Sequence, residues 1–356
     1  MRSILTLVFL FSLILVRAQP PEGYYNPANG LTGVPLQSAL HLIIDNHTAQ
    51  SYSSLHTHFQ TTDDKPDGSV WDMYSDIPGG DPPYIYSFTS ADQCGNYSGE
   101  GDCYNREHSW PKSWFDDMPP MYTDLYHLYP TDGYVNGRRS NYPYGEVGNA
   151  TWASQNGCLL GNCVYPGYSG VVFEPLDEYK GDFARTYFYM STRYYEEDNG
   201  WPGSDQTTGS QLKPWALAMM KEWHLNDPVD GKEIDRNNAV YAIQNNRNPY
   251  IDHPEYVSYI WGGPIGIKEL ERNQNISVYP VPASENCNID HKGYYTAENL
   301  SVSLIDITGR KYEVDYTVSG NVIDINSSQL NSGFYLITLS QEGRNPAFAR
   351  IVIYNR

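Results

Sequence analysis

The apolar residues of this 356-residue chain fall into three kinds of pattern, and each predicts a different sort of element. Leu36, Ala39, Leu40 and Ile43 recur at helical spacing with Pro35 in the first turn, which predicts a helix with one core-facing stripe. Leu176, Tyr179, Phe183, Tyr187, Met190 and Tyr194 step by three or four and predict a longer packing stripe. Arg185 and Arg193 share that segment, where a solvated charge is the ordinary reading and a phosphate contact the rarer one. Further helices are expected over Leu212 to Trp223, and from near Val229 through Val240 and Ile243. The last should stop before Asn248-Pro249, because a residue ahead of proline leaves the helical region. Between Asp63 and Asp92 the chain is dense in Asp, Pro and Gly. There Val70-Trp71-Asp72-Met73-Tyr74 and Tyr84-Ile85-Tyr86-Ser87-Phe88 alternate at period two, predicting short strands in a loop-rich frame.

After about Asn273 the pattern changes. Leu300-Ser301-Val302-Ser303-Leu304-Ile305, Asn321-Val322-Ile323-Asp324-Ile325, Gly333-Phe334-Tyr335-Leu336-Ile337-Thr338-Leu339 and Ala349-Arg350-Ile351-Val352-Ile353-Tyr354 are short β-branched runs between turn signals, and they predict a small β-sandwich. At the other end, Ile4 to Val16 is apolar except for Thr6 and Ser12, follows Arg2 and closes on Arg17-Ala18. That run is too short for a membrane helix, which needs roughly 20 residues, and reads as a cleaved export signal. No later run approaches that length. The expected organisation is α+β: a signal at 1–18, a mainly helical domain with a few strands over 19–270, and an all-β sandwich domain over 271–356. The mature protein is expected to be soluble and monomeric.

Export changes the reading of the five cysteines toward disulfides. Cys94 with Cys103 and Cys158 with Cys163 is the simplest pairing among three connectivities, with Cys287 left over; gaps of eight and four residues suit a tetrathiolate zinc site poorly. The formal charge of −19 argues against a broad basic face for nucleic acid. An enzyme can instead concentrate a metal and a few cations in one cleft. Substrate binding should then be weak, salt-sensitive and dependent on a divalent ion.

The candidate chemistry lies in Asn105-Arg106-Glu107-His108-Ser109-Trp110-Pro111 and, further on, in Val135-Asn136-Gly137-Arg138-Arg139-Ser140-Asn141. Cutting a phosphodiester requires an activated water and positive charge against the phosphate. His108, with an ordinary pKa of roughly 6.5, suits the base. Glu107 and Asn136 offer the hard oxygens that Mg²⁺ prefers, with Mn²⁺ or Ca²⁺ also accepted. Thr131 or Asp132 reads as a helix N-cap, which puts Asn136 about one turn into a short helix and Arg139 on much the same face. In an ideal strand Glu107 and His108 point to opposite faces, so either the backbone bends or the two serve different sides of one substrate. Each residue has a plainer reading: a surface Glu-His pair, an Asn-Gly turn, solvated arginines. The co-occurrence of all of them in one exported region favours a site. His41, His47, His56 and His58 read as scattered exposed histidines rather than a metal cluster.

These motifs, with Asp124-Leu125-Tyr126-His127-Leu128-Tyr129-Pro130, Phe183-Ala184-Arg185-Thr186-Tyr187 and Gln244-Asn245-Asn246-Arg247-Asn248-Pro249-Tyr250, resemble the secreted bacterial endonuclease I family across most of residues 30–265. The resemblance implies a ββα-metal (His-Me) finger and a sugar-nonspecific, Mg²⁺-dependent endonuclease acting on DNA, and on RNA as a second class, to leave 5′-phosphates. By position it makes His108 the general base and Glu107 and Asn136 the metal ligands. It leaves the arginine on the phosphate open among Arg106, Arg139 and Arg185. Tyr126 departs from the family, where histidine is common. Val278-Tyr279-Pro280-Val281-Pro282-Ala283, Asp306-Ile307-Thr308-Gly309-Arg310 and Leu330-Asn331-Ser332-Gly333-Phe334-Tyr335 are similar to the type IX sorting domain, which implies secretion machinery as a partner and an extracellular or cell-surface location. The rival readings are a non-catalytic glycan- or polymer-binding protein, suited to 32 tyrosines and an acidic surface, and a phosphodiesterase for small substrates.

Overall fold

A computed structural model describes residues 20–262 and 276–355, apart from 294, 298, 307–309 and 342–343. The expected signal at 1–18 and the expected boundary at 270/271 lie outside the described residues. Contacts divide the chain into two compact units, one running to Gly263 and one from Pro264 onward. The whole is a mixed helix and sheet protein, and its described C-terminal unit is all β.

In the first unit, in chain order, come α1 (Gly33–Ile44), α2 (Leu55–Thr62), β1 (Tyr104–His108), β2 (Leu128–Asp132), α3 (Gly133–Arg139), β3 (Val147–Ala153), β4 (Leu159–Cys163) and β5 (Val171–Glu174). Then follow α4 (Lys180–Arg193), the two-residue strands β6 (Thr207–Thr208) and β7 (Gln211–Leu212), α5 (Pro214–Asn226), α6 (Gly231–Gln244), α7 (Pro249–Asp252) and α8 (Tyr256–Trp261). The helix boundaries follow local chemistry. Pro214 opens α5, where its missing N–H costs nothing. Asp230 and Glu233 close a capping box on α6, and Asn245 ends it in the left-handed region at φ 63°.

Helix α4 is the centre of this unit, and all 14 of its residues are buried. Its apolar stripe meets α1 and α5, as the periodicity predicts, but its polar side is buried too and is neutralised by ion pairs. Lys180 reaches Glu146 and Glu174, Asp182 pairs with Lys232, Arg185 with Glu233, and Arg193 with Asp45 and Glu197. Arg185 and Arg193 are therefore not solvated charges, because the helix has no solvent face.

The two period-two segments near residues 70 and 86 do not form strands. They are joined by Val70 N–H on the Tyr86 carbonyl, and the one isolated bridge nearby ties Val70 back to Asp64, ahead of the first segment. The buried Asp72 carboxylate takes the backbone N–H groups of Tyr74 and Asp132, each at 2.8 Å, so donors that a ladder would use go to a side chain. The three-stranded sheet β3-β4-β5 was not foreseen, since β3 is mostly exposed and carries no apolar alternation. Strand β4 also rules out the Cys158–Cys163 bridge. An extended run of five steps separates their Cα atoms by about 16 Å, far beyond the roughly 7 Å a disulfide spans. All five cysteines are free thiols, and Cys94 and Cys103 lie against each other.

The second unit contains β8 (Ser277–Tyr279), β9 (Asn286–Asp290), β10 (Leu300–Asp306), β11 (Lys311–Glu313), β12 (Tyr316–Ser319), β13 (Val322–Asn326), β14 (Gly333–Gln341) and β15 (Arg344–Ile353). They form two four-stranded antiparallel sheets, β11-β10-β14-β15 and β12-β13-β9-β8. Leu304, Ile337, Leu339 and Ile351 from the first sheet and Cys287, Ile289, Ile323 and Ile325 from the second share one apolar core. Alternation at period two accounts for every one of these choices.

Candidate active site

Strand β1 pairs antiparallel with β2 so that Asn105 faces Thr131, Glu107 faces Tyr129 and His108 faces Leu128. Asp132, the last residue of β2, caps α3 through its carboxylate on Val135 N–H at 2.7 Å, as the sequence predicts. The helix therefore leaves the sheet at a set angle and lies back against β1. Gly137 belongs to α3 rather than to a turn. A Cβ there would come within 2.6 Å of the Tyr97 hydroxyl, so a larger residue would push that ring off the helix.

Alternation along β1 puts Asn105 and Glu107 on the face toward α3, where positions three apart on the helix meet them. Asn136 donates its amide N–H to Asn105 Oδ1 at 2.6 Å, which leaves Asn136 Oδ1 uncommitted. Arg139 donates to Glu107 Oε1 at 2.8 Å, and the Tyr74 hydroxyl donates to the same oxygen at 2.9 Å. The other oxygen, Oε2, takes no hydrogen bond from the described residues and is not sealed in the interior. Burial pushes the Glu107 carboxyl up to about 7, against the opposing pull of Arg139 and Tyr74.

His108 leaves the other face of β1, so the strand does not bend at the Glu-His step. Its Nε2 lies 3.0 Å from the Tyr122 carbonyl, which can only accept, so Nε2 carries the proton and Nδ1 the lone pair. The ring stacks on Tyr122 at 5.2 Å and sits beside His127 and Phe115. It is only 7% exposed, deeper than a base at the surface, yet Nδ1 is neither hydrogen-bonded nor sealed. The expected ordinary pKa does not hold. Burial first, and then the neighbouring His127, lower it to about 3. Arg106, two residues back on the same face, lies over the Tyr52 ring at 3.9 Å and donates Nη1 to the Tyr52 carbonyl; its Nε–H is buried with no partner among the described residues, and Nη2 is neither bonded nor sealed.

The structure thus brings Glu107, His108, Asn136, Arg106 and Arg139 around one β1–α3 unit. It does not bring Arg185 there. Both Arg185 terminal donors and its Nε are spent on Glu233, at 2.5 and 2.6 Å, and on the Asp227 carbonyl at 2.7 Å. Tyr126, where the family commonly has histidine, is fully buried and donates its hydroxyl to Asn237 Oδ1 and the Asn246 carbonyl, so it packs the interior. The four N-terminal histidines are not exposed as expected. His47 is buried and the other three are half-buried. His41 approaches Asp45 and Glu197, but the Arg193 guanidinium already bridges those two carboxylates at 3.1 Å each, which makes the group an ion-pair cluster. Sequence reasoning missed Asn105, Tyr74, Tyr144 and Tyr187. Asn105 was legible as the period-two neighbour of Glu107; Tyr187 read only as part of a packing stripe and a family motif, and nothing distinguishes Tyr74 and Tyr144 from the other tyrosines.

A profile of the Endonuclease I family matches residues 32–255, and one of the secretion system C-terminal sorting domain matches residues 277–354. An extracellular ribonuclease of Bacillus amyloliquefaciens is 37% identical over 257 residues, covering 70% of this chain and 82% of that protein. An extracellular ribonuclease of Bacillus subtilis (strain 168) is 37% identical over 249 residues, covering 67% and 78%. An extracellular deoxyribonuclease of Aeromonas hydrophila is 28% identical over 137 residues, covering 38% of this chain and 52% of its own.

Proposed function

Because the chain belongs to the Endonuclease I family and ends in a secretion sorting domain, it is a secreted nuclease, and we propose that it cuts both DNA and RNA by direct hydrolysis. In this reading β1, β2 and α3 form a ββα-metal finger within a nuclease domain over 19–270, and residues 271–356 address the chain, as a monomer, to its secretion machinery. The observation that supports it is a set of three uncommitted acceptors on one strand and its helix: His108 Nδ1, Glu107 Oε2 and Asn136 Oδ1.

Glu107 Oε2 and Asn136 Oδ1 fit a hard divalent cation, being one carboxylate and one amide oxygen that leave other positions for water and phosphate. When bound, Mg²⁺, or Mn²⁺ or Ca²⁺ in its place, supplies positive charge against the phosphate and its departing oxygen. His108 takes a proton from the attacking water at Nδ1, while Nε2–H stays on the Tyr122 carbonyl and fixes the ring's tautomer and aim. Burial keeps the free ring neutral, and the phosphate's negative charge offsets that burial as the proton arrives. Arg106, pinned over Tyr52 with Nη1 on the Tyr52 carbonyl, has Nη2 left to present to a non-bridging oxygen. Since water is the nucleophile, no 2′-hydroxyl takes part. The bond from phosphorus to the 3′ oxygen breaks, that oxygen leaves with a proton from solvent water, and the downstream fragment keeps a 5′-phosphate, on deoxyribose and ribose strands alike.

The test is degradation of plasmid DNA and of a long RNA at millimolar Mg²⁺, with and without EDTA. EDTA should abolish both activities, and His108→Ala should lower them by about 10²–10⁴. A plasmid and an RNA left intact by the wild-type protein would support the binding-protein reading instead. Turnover of a small aryl phosphodiester at the rate of long DNA would point to the other rival.

A further inference from the structure

The guanidinium of Arg139 is fully buried, and its terminal donors are all used on the last two residues of β1, on Ser109 just past it and on the Tyr187 hydroxyl. Nη1 reaches Glu107 Oε1 at 2.8 Å and the His108 carbonyl at 2.9 Å; Nη2 reaches the Ser109 carbonyl at 2.5 Å and the Tyr187 hydroxyl at 3.3 Å. The Tyr144 ring lies under the group at 4.6 Å, and the Tyr144 hydroxyl bonds that of Tyr74, which in turn donates to Glu107 Oε1. No donor is left for a phosphate: Nε–H is the remaining one, and it is buried without a partner.

We propose that Arg139 is a positioning residue. It holds one oxygen of Glu107 and the main chain of His108 and Ser109, so that the other Glu107 oxygen is aimed at the cation and His108 at the water. This rests on the reading of Glu107 and Asn136 as cation ligands. The physical logic is a division of labour along α3. Asn136 contributes an oxygen, and one turn later Arg139 locks the strand that contributes the other. A planar fork is needed, because two main-chain carbonyls and a carboxylate must be satisfied in one plane by a group that never loses its charge. Arg139 and Arg106 thus have opposite duties, one facing inward to the strand and one outward to substrate.

The guanidinium charge also repels a divalent cation, so the informative variant conserves charge and removes the fork. Arg139→Lys in the full-length protein should raise the Mn²⁺ dissociation constant, measured by calorimetry without substrate, by about 10–100-fold. It should lower kcat, keep KM for DNA within about twofold, and leave the salt dependence of DNA binding unchanged. A phosphate contact behaves differently. Unchanged Mn²⁺ affinity, with raised KM and a salt slope smaller by about one, would overturn the proposal. Should the lysine variant fail to fold, Tyr74→Phe carries the test. It removes the second donor to Glu107 Oε1 and should weaken Mn²⁺ binding several-fold at an unchanged salt slope, and unaltered affinity there counts against the clamp. Glu107→Gln separates the two readings: if it leaves Mn²⁺ affinity intact, the ligand assignment itself falls, and the clamp with it.

Discussion

The two units of this chain have interiors of opposite kinds. Up to Trp261 the core is threaded with buried charge: Arg139 on Glu107, Arg185 on Glu233, Arg236 on Asp63, Arg247 on Asp252 and Lys232 on Asp182. From Ile276 onward the core is aliphatic, built on Leu304, Ile323, Ile325, Ile337, Leu339 and Ile351. A buried ion pair is weak evidence for stability, because desolvation offsets most of the attraction. What the charged interior provides is orientation. A guanidinium fixes the direction of a carboxylate and of two carbonyls at once, which aliphatic packing cannot do, and the strand that carries the proposed site uses that. A unit that serves as an address has no such need, and a plain apolar core suffices.

The sharpest way to break this contrast is at the chemistry. The loss expected for His108→Ala should far exceed what the accompanying drop in the first unit's melting explains, since the ring is buried and bonded, and the second unit's melting should not move. A protein that still cuts DNA would remove the reason for the polar interior. Next in size, Arg185→Met strands Glu233 in the core and should cost about 3–5 kcal/mol by chemical denaturation, all of it in the first unit. A loss under about 1 kcal/mol would mean that the pair contributes little.

Acid sharpens the comparison in another way. Burial lowers the pKa of His47, His56, His108, His127 and His224 in the first unit, to about 4 for His56 and to about 3 for His108 and His224. The unfolded chain takes up these protons below its ordinary value of roughly 6.5 while the folded unit does not. Stability from these groups is therefore whole above pH 6.5 and is lost progressively as pH falls toward 3. Buried carboxyls raised to about 7, those of Asp72, Glu107 and Glu233, pull the other way over the same range, so the histidine share is read as a difference. Between pH 7 and pH 5, His224→Gln should lose less stability, or gain more, than the wild-type protein by calorimetry; if the two respond alike, the histidine is not kept neutral by the fold.

Smaller effects belong to the second unit and to the thiols. Leu304→Ala should cost that unit about 2–4 kcal/mol and leave nuclease activity at the wild-type level. Lost activity would show that the two interiors are not independent. After export, Cys94 and Cys103 should be found joined by non-reducing peptide mapping, worth about 2 kcal/mol for so short a loop, with Cys158 and Cys163 unjoined. A Cys158–Cys163 peptide would contradict the extended β4.

Much of the fold was legible because it depends on spacing. The helices around Leu36, Phe183, Trp215 and Val240 and the strands of the second unit follow from period 3.6 and period 2, and the Asp132 cap follows from one side chain seeking backbone donors. The sheet β3-β4-β5 was not legible, since its first strand is exposed and leaves no apolar signature. Glu107, His108 and Asn136 could be proposed as a set from motif order and residue type, and the fold carries them on one strand and its helix. Their surroundings could not.

What the sequence alone determined is the inventory: which residues can take a proton, offer a hard oxygen or stack a helix, and in what order. Tertiary structure decided the roles. Arg106, Arg139 and Arg185 are the same side chain in three settings: one spread over Tyr52 with an edge unused, one spent on strand β1, and one spent on Glu233. The physical reason is that a guanidinium's function is set by which of its donors remain free and how much water reaches them. Those quantities come from residues such as Tyr74, Tyr144 and Tyr187, distant along the chain and brought in only by packing.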